Sequence, residues 1–486
     1  MIREGASAGY RRRGILHRVL QAQVVERVPG CVTGGAPTQL TLRGTRFALP
    51  AAESALLSDN RVLDADRRVH RWYRFVLSFP PHLVRHYVGE FGLDSASLLL
   101  DPFCGTGTTL VEAKKLGVPS AGIEAHPFTA FAASVKVDWS PESRELLEHA
   151  RGVAEEAQRR LGEQGLPDSP INGAVSGSPT RPAGLRRLDS ERHCLLLSSS
   201  ISPRPLHKAL VLMDVLREQR DDRYDAHERL AFAHSVVESS SNLRFGPEVG
   251  LGDIKRDAPV IGPWLSAVTA VAEDLGAVKV MPRVSSTVYT GDSRRAAELV
   301  APRSVDAVLT SPPYPNEKDY TRTTRLESVL LGFVTDRDSL RAVKRGLVRS
   351  NTRGVFRTDD DDELVSSHPK IAELAEAIET RRLELGKTSG FERLYPRVAR
   401  LYFGGMLRHL ANLRGVLKPG ARLAYVVGDQ ASYLRVMIRT GQLLGDLAVS
   451  LGYELERIDL FRTRYATVTG EQLREEVVIL RWPGEA

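Results

Sequence analysis

Residues 98–117 read LLLDPFCGTGTTLVEAKKLG. A short apolar run ends at Asp101, two glycines follow in a polar turn, and a helix-forming segment then closes on Gly117. This is the pattern of a buried strand, a glycine turn, a helix and a helix stop. The next residues, VPSAGIEAHP at 118–127, give a second strand that ends in the acid Glu124. Strand, turn, helix and strand in so short a span open a doubly wound α/β sheet.

Working outward, the strand rhythm stops. Residues 141–165 have the pattern of a charged helix, and 166–204 are rich in Gly, Ser, Pro and Arg, as a long loop or linker would be. Helical pattern returns over about 205–240 and 264–276. Strands resume at 286–292, 305–311 and 422–429, with 453–460 and 476–482 as a closing antiparallel pair. The expected organisation is a basic arm over 1–60, a catalytic domain built from 61–140 and 286–486, and a helical insertion over 141–285, the candidate target-recognition region with its loop over 166–204. A second polar, helical insertion spans 315–400 within the catalytic domain and is a candidate DNA contact.

Composition fits a globular α/β chain: 42% hydrophobic and 26% charged residues, with no apolar run long enough to span a membrane. The arginine-rich start MIREGASAGYRRRG lacks the apolar stretch of a signal peptide, so cytoplasmic residence is expected. Cys31, Cys104 and Cys194 form no CxxC pair, which disfavours a disulfide framework or a zinc site. Residues 1–80 carry 13 Arg against 6 Asp or Glu, so the net charge of +7 is concentrated there. Such an arm suits a polyanion, and equally a solvated N-terminus.

Glycines between a strand and a helix let a ligand approach the backbone at the helix N-terminus. No GK[ST] follows them, against a phosphate-binding loop. Residues 98–112, LLLDPFCGTGTTLVE, closely resemble the S-adenosylmethionine loop of amino-methylating DNA methyltransferases, most of all those specific for cytosine N4. The resemblance implies a Rossmann-like methyltransferase sheet with two largely helical insertions. It also implies a cofactor loop of Asp101, Pro102, Phe103, Gly105, Thr106, Gly107, Thr108 and Thr109. Glu124 stands where a carboxylate binds ribose hydroxyls, although Ala125-His126-Pro127 replaces the family's Asn-Pro continuation and leaves His126 without a role. Phe79 and Pro80, in FVLSFPPHLV, would pack on the methionine end of the cofactor; FPP could equally open a helix. Asp292 would accept from the adenine amino group.

The second motif is Ser311-Pro312-Pro313-Tyr314, at the carboxyl end of VDAVLTS. An exocyclic amine conjugated to an aromatic ring is a poor nucleophile. Accepting its two N–H bonds draws the nitrogen toward sp³ and frees the lone pair. Ser311 Oγ and the Pro312 carbonyl would do this, Pro313 would stiffen the turn, and Tyr314 would stack on a base swung out of the helix. Within the family, Ser at the first position goes with cytosine N4, and Asp or Asn with adenine N6.

Arg322 and Arg325 follow this motif, and 341–357 carries six basic residues and no acid, among them Lys344, Arg345, Arg349 and Arg353. These are candidate contacts to double-stranded DNA. The run DDDDE at 359–363 offers them an intramolecular alternative. Carbon-5 cytosine methylation would need a Pro-Cys nucleophile, which the chain lacks. Adenine-N6 methylation, amino-group RNA methylation and a nucleic-acid-binding protein that has kept the fold remain as alternatives. A cognate restriction endonuclease, and a monomeric or homodimeric state, are left open.

Overall fold

The computed structural model describes residues 66–73, 78–168, 184–246, 248–465 and 472–485. The arm expected over 1–60, and residues 169–183 of the expected loop, lie outside them. The strands are β1 (Leu99–Asp101), β2 (Ser120–Glu124), β3 (Leu243–Phe245), β4 (Val249–Leu251), β5 (Ser286–Thr290), β6 (Val305–Thr310), β7 (Leu417–Gly428), β8 (Glu454–Tyr465) and β9 (Gln472–Arg481). The principal helices are α1 (Pro81–Glu90), α2 (Thr108–Lys115), α3 (Pro127–Val137), α4 (Ser143–Glu163), α5 (Pro203–Glu218), α6 (Asp225–Ser235), α7 (Ile261–Val278), α8 (Arg337–Gly346), α9 (Pro369–Glu384), α10 (Gly390–Leu413) and α11 (Thr440–Ser450).

Seven strands form one sheet in the order β5-β2-β1-β6-β7-β9-β8. All run parallel except β9, which is antiparallel to both of its neighbours. The chain leaves β1 toward one edge and returns at β6 toward the other. The crevice at the carboxyl ends of β1 and β6 is therefore the topological switch point, where an open α/β sheet binds its ligand. Both motifs singled out in the sequence emerge there.

Side-chain alternation sorts the sheet's residues between two helical layers. Leu99, Ala307 and Leu309 pack with Leu83, Val84 and Tyr87 of α1. Leu100 and Val308 face the other way, onto α10 residues such as Phe403, Met406 and Leu410. This is the Rossmann-like methyltransferase arrangement the sequence led us to expect, with the final β8–β9 pair antiparallel.

Residues 141–285 do not stand apart as an independent unit. Leu146, Ala150, Val153, Ala157 and Leu161 form one apolar stripe along α4 at helical spacing. They share a core with Leu110 and Val111 of α2, Phe128 and Ala132 of α3, and Trp264, Val268 and Leu275 of α7. The helical bundle thus grows outward from the sheet's own helices. It also carries the antiparallel pair β3–β4, which periodicity in so short a polar stretch did not reveal. In the second insertion, the acidic run crosses α10 at Gly404, where a β-carbon would overlap the Asp361 carbonyl.

Candidate active site

A cavity of about 550 Å³ opens at the switch point. Its wall includes Pro102, Phe103, Gly105, Thr106 and Thr108 from the glycine loop, Glu124 at the carboxyl end of β2, and all four residues of Ser311–Tyr314. Phe79 lines it as well. The two motifs, some 200 residues apart in sequence, thus face one space.

Asp101 holds them together from underneath. Its carboxylate accepts from the Phe103 backbone N–H at 3.1 Å, Thr109 Oγ1 at 2.5 Å and Thr310 Oγ1 at 2.6 Å. One buried acid therefore fixes the start of the loop, the first turn of α2 and the residue before Ser311. Burial pushes its pKa up to about 6, against the three hydrogen bonds, which favour the charge.

The loop itself requires glycine. Gly107 is left-handed, at φ 85°, and a β-carbon there would press on Ala133 of α3 at 3.1 Å. Gly105 (φ 52°) gives its N–H to Glu124 Oε2 at 2.9 Å, while His126 N–H donates to Oε1 at 2.8 Å. Two backbone donors thus aim the Glu124 carboxylate, and lone pairs remain on both oxygens for a vicinal diol. Burial raises its pKa.

At the tetrapeptide, Ser311 Oγ donates to the Val426 carbonyl of β7 at 3.0 Å. The hydroxyl proton is thereby turned into the sheet, and the oxygen's lone pairs are left to accept. Gly428, farther along β7, clears room for Tyr314: a β-carbon there would stand 3.1 Å from the ring.

Five expected cofactor residues do not line the cavity. Asp101 (1% exposed) and Thr109 (0%) are spent on each other beneath the loop. Gly107 serves the turn, and Pro80 is buried behind Phe79 at the start of α1. Asp292 is gripped on both oxygens by Arg294, and Gly291 and Ser293 form the wall beside it.

The basic residues divide in the same way. Arg325 is buried, bonding to the Thr321 and Leu195 carbonyls. Lys344 pairs with Asp319 at 2.8 Å, and Arg349 (4% exposed) takes Asp359 of the acidic run bidentately. Asp360, Asp361 and Asp362 of that run meet Arg408, Arg294 and Arg397. Arg345 lies over the Phe356 ring. Arg322 and Arg353 line a small cleft adjoining the cavity. Of the six candidates, three are thus committed inward.

Several wall residues gave no sequence signal as site residues: Glu248 between β3 and β4, Phe461 and Arg462 of β8, and Glu475 of β9. Gln430, just past the carboxyl end of β7, could have been found from the rule that such ends carry ligand contacts. His126 is a wall residue too; its Nε2 meets Thr324 Oγ1 at 3.1 Å. Burial, aided by the charge of Arg325, lowers its pKa to about 4, so it is neutral near pH 7. Its Nδ1 is buried with no protein partner among the described residues.

A family profile described as DNA methylase, for N6 and N4 enzymes, matches residues 59–133. Two relatives align over most of both chains. The type II methyltransferase M.BsoBI of Geobacillus stearothermophilus is 26% identical, over 82% of this chain and 81% of its own. M.AvaI of Anabaena variabilis is 24% identical, over 80% of each. Over most of its length the chain is thus similar to amino-methylating DNA methyltransferases. A third relative, M.MjaII of Methanocaldococcus jannaschii, matches this chain at 34% identity, over 15% of this chain and 13% of its own. Among solved structures, TrmN from Thermus thermophilus aligns with 86% of this chain and 52% of its own, at 11% identity and a TM-score of 0.27. Among the described residues, no helix is long and apolar enough to cross a membrane, and no cluster of His, Cys, Asp or Glu forms a metal site.

Proposed function

We propose that the protein transfers a methyl group from S-adenosylmethionine to the exocyclic N4 of cytosine in duplex DNA, at a specific sequence. The observation that carries this reading is the Ser311 hydroxyl. Its proton is committed to the Val426 carbonyl, in the wall of the same cavity as the glycine loop and Glu124.

The residues present suit the cofactor. The glycine loop exposes backbone at the start of α2, the Glu124 carboxylate is aimed by two N–H groups, and the unpartnered Nδ1 of His126 awaits a polar group. Pro102, Phe103, Gly105, Thr106, Thr108 and Glu124 would hold it, with Phe79 at one end. When bound, S-adenosylmethionine supplies a methyl group on a sulfonium, so no separate activation of the donor is needed.

The protein's task is to present the amine. Tyr314, seated against Gly428, gives the extrahelical base a face to stack on. Ser311 Oγ and the Pro312 carbonyl accept its two N–H bonds and release the nitrogen lone pair. Because these acceptors are fixed before the base arrives, little reorganisation is left for the transition state. The amine, once it had received the methyl group, would release its surplus proton to water.

The first-position serine supports cytosine N4 by the family correlation. The description of both long-range relatives as type II methyltransferases supports the modification half of a restriction system, with a cognate endonuclease as partner. Ser311→Ala tests the site: transfer should fall by roughly 10²–10³-fold while calorimetry shows cofactor binding retained. Unchanged transfer would remove Ser311 from the mechanism.

A further inference from the structure

The β3–β4 pair and its return segment project from the helical bundle as a finger. A lone two-stranded hairpin is marginal in water, and this one is secured at its base. Asn242 (2% exposed) donates from Nδ2 to the Ser199 carbonyl and to Ser202 Oγ. Its Oδ1 accepts from Lys255 N–H, and its backbone pairs with Ser200 and Gly252. Beyond this anchor the finger is bare. Arg244, Glu248 and Arg256 are exposed, as are the apolar Leu251 (47%) and Ile254 (55%).

The finger reaches the catalytic cavity. Glu248 lines it together with Ser311–Tyr314. Phe245, Gly246, Glu248 and Val249 then form one wall of the adjoining cleft, and Arg322 and Arg353 belong to the other. Arg244, Arg256, Arg322 and Arg353 make no ion pair among the described residues, unlike Lys344 and Arg349 nearby. The cleft's other two acids have partners of their own: Glu317 accepts from the Thr352 N–H at 3.2 Å and its hydroxyl at 2.9 Å, and Asp319 pairs with Lys344. The unpaired guanidinium groups of Arg322 and Arg353, in a cleft beside the active site, are suited to phosphate oxygens; those of Arg244 and Arg256 stand exposed on the finger whose tip forms the cleft's other wall.

We propose that the β3–β4 finger and the Arg322–Arg353 pair form a clamp on the DNA backbone beside the nucleotide that enters the cavity. Both insertions then meet the DNA: the first through its finger, the second through the two arginines. The inference rests on the methyl-transfer reading above for its choice of partner.

Binding to a random-sequence duplex, followed by fluorescence anisotropy over a range of salt concentrations, tests it, because phosphate contacts need no recognition sequence. Two double variants are compared with the full-length wild type: R322Q/R353Q, and R244Q/R256Q on the finger. Each should weaken binding by roughly tenfold or more and reduce the slope of log K against log salt by about two. Thermal melting and calorimetric cofactor binding should be unchanged in both. Wild-type affinity and slope in both variants would overturn the clamp, and a loss confined to R322Q/R353Q would remove the finger from it. Methyl transfer is read on the same preparations. A wild type that grips DNA through these arginines yet transfers no methyl group would sink the methyl-transfer reading and leave the clamp standing.

Discussion

The floor of the cavity and its mouth are built on opposite principles. On the floor, charge is scarce and buried: one carboxylate, Asp101, is satisfied by three donors and ties two motifs together. At the mouth, charge is plentiful, and half of the candidate cations are already neutralised by acids or carbonyls of the same chain. The floor needs fixed geometry, which hydrogen bonds in a dry strand junction provide. The mouth needs net positive charge, which only unpaired residues supply. Position near the site therefore does not leave a basic residue free to meet a phosphate; the lack of an internal partner does.

The largest test of that division is Arg349→Gln. If Arg349 serves the fold, breaking its buried pair with Asp359 should cost about 4 kcal/mol, read as a lower denaturation midpoint at unchanged m-value. Arg353→Gln should leave stability within about 0.5 kcal/mol and lower the salt slope of DNA binding by about one. The reverse pattern would break the distinction.

Asp101→Ala strands three donors on the floor and should cost about 3 kcal/mol, with methyl transfer lost as the loop and tetrapeptide part. Its raised pKa gives a sharper form of the test. The folded state favours protonated Asp101, so this group's stability contribution is full below its ordinary value near 4 and falls as pH rises through about 6. Asp101→Asn should therefore gain stability relative to wild type between pH 4 and 6, and the difference should be flat above pH 7. Melting temperatures across that range give the answer. A smaller loss is expected from Lys344→Ala, which leaves the largely buried Asp319 carboxylate with Thr321 as its donor: about 2 kcal/mol, and no change in salt slope.

The same contrast explains what could be read from the sequence. DPFCGTGTT and SPPY were legible because backbone constraints on glycine and proline, and the strands that precede them, are local in sequence. The 3.6-residue stripe of α4 was legible for the same reason. The roles of Asp101 and Asp292 were not, since their partners Thr310 and Arg294 are side chains whose direction only the fold decides. The charge run at 341–357 was ambiguous because Asp319 and Asp359 can compete for its cations once the chain is folded. The β3–β4 finger was missed because short polar strands within a helical stretch carry little periodicity.

The methylated nucleoside left in the DNA reports both the reaction and the base. The purified protein, S-adenosylmethionine and unmethylated duplex DNA of mixed sequence are incubated together, and the DNA is digested and analysed by mass spectrometry. N4-methyldeoxycytidine is expected, and is absent when Ser311→Ala replaces the wild type. N6-methyldeoxyadenosine, or no methylated nucleoside from a protein that binds both cofactor and DNA, would contradict the proposed function.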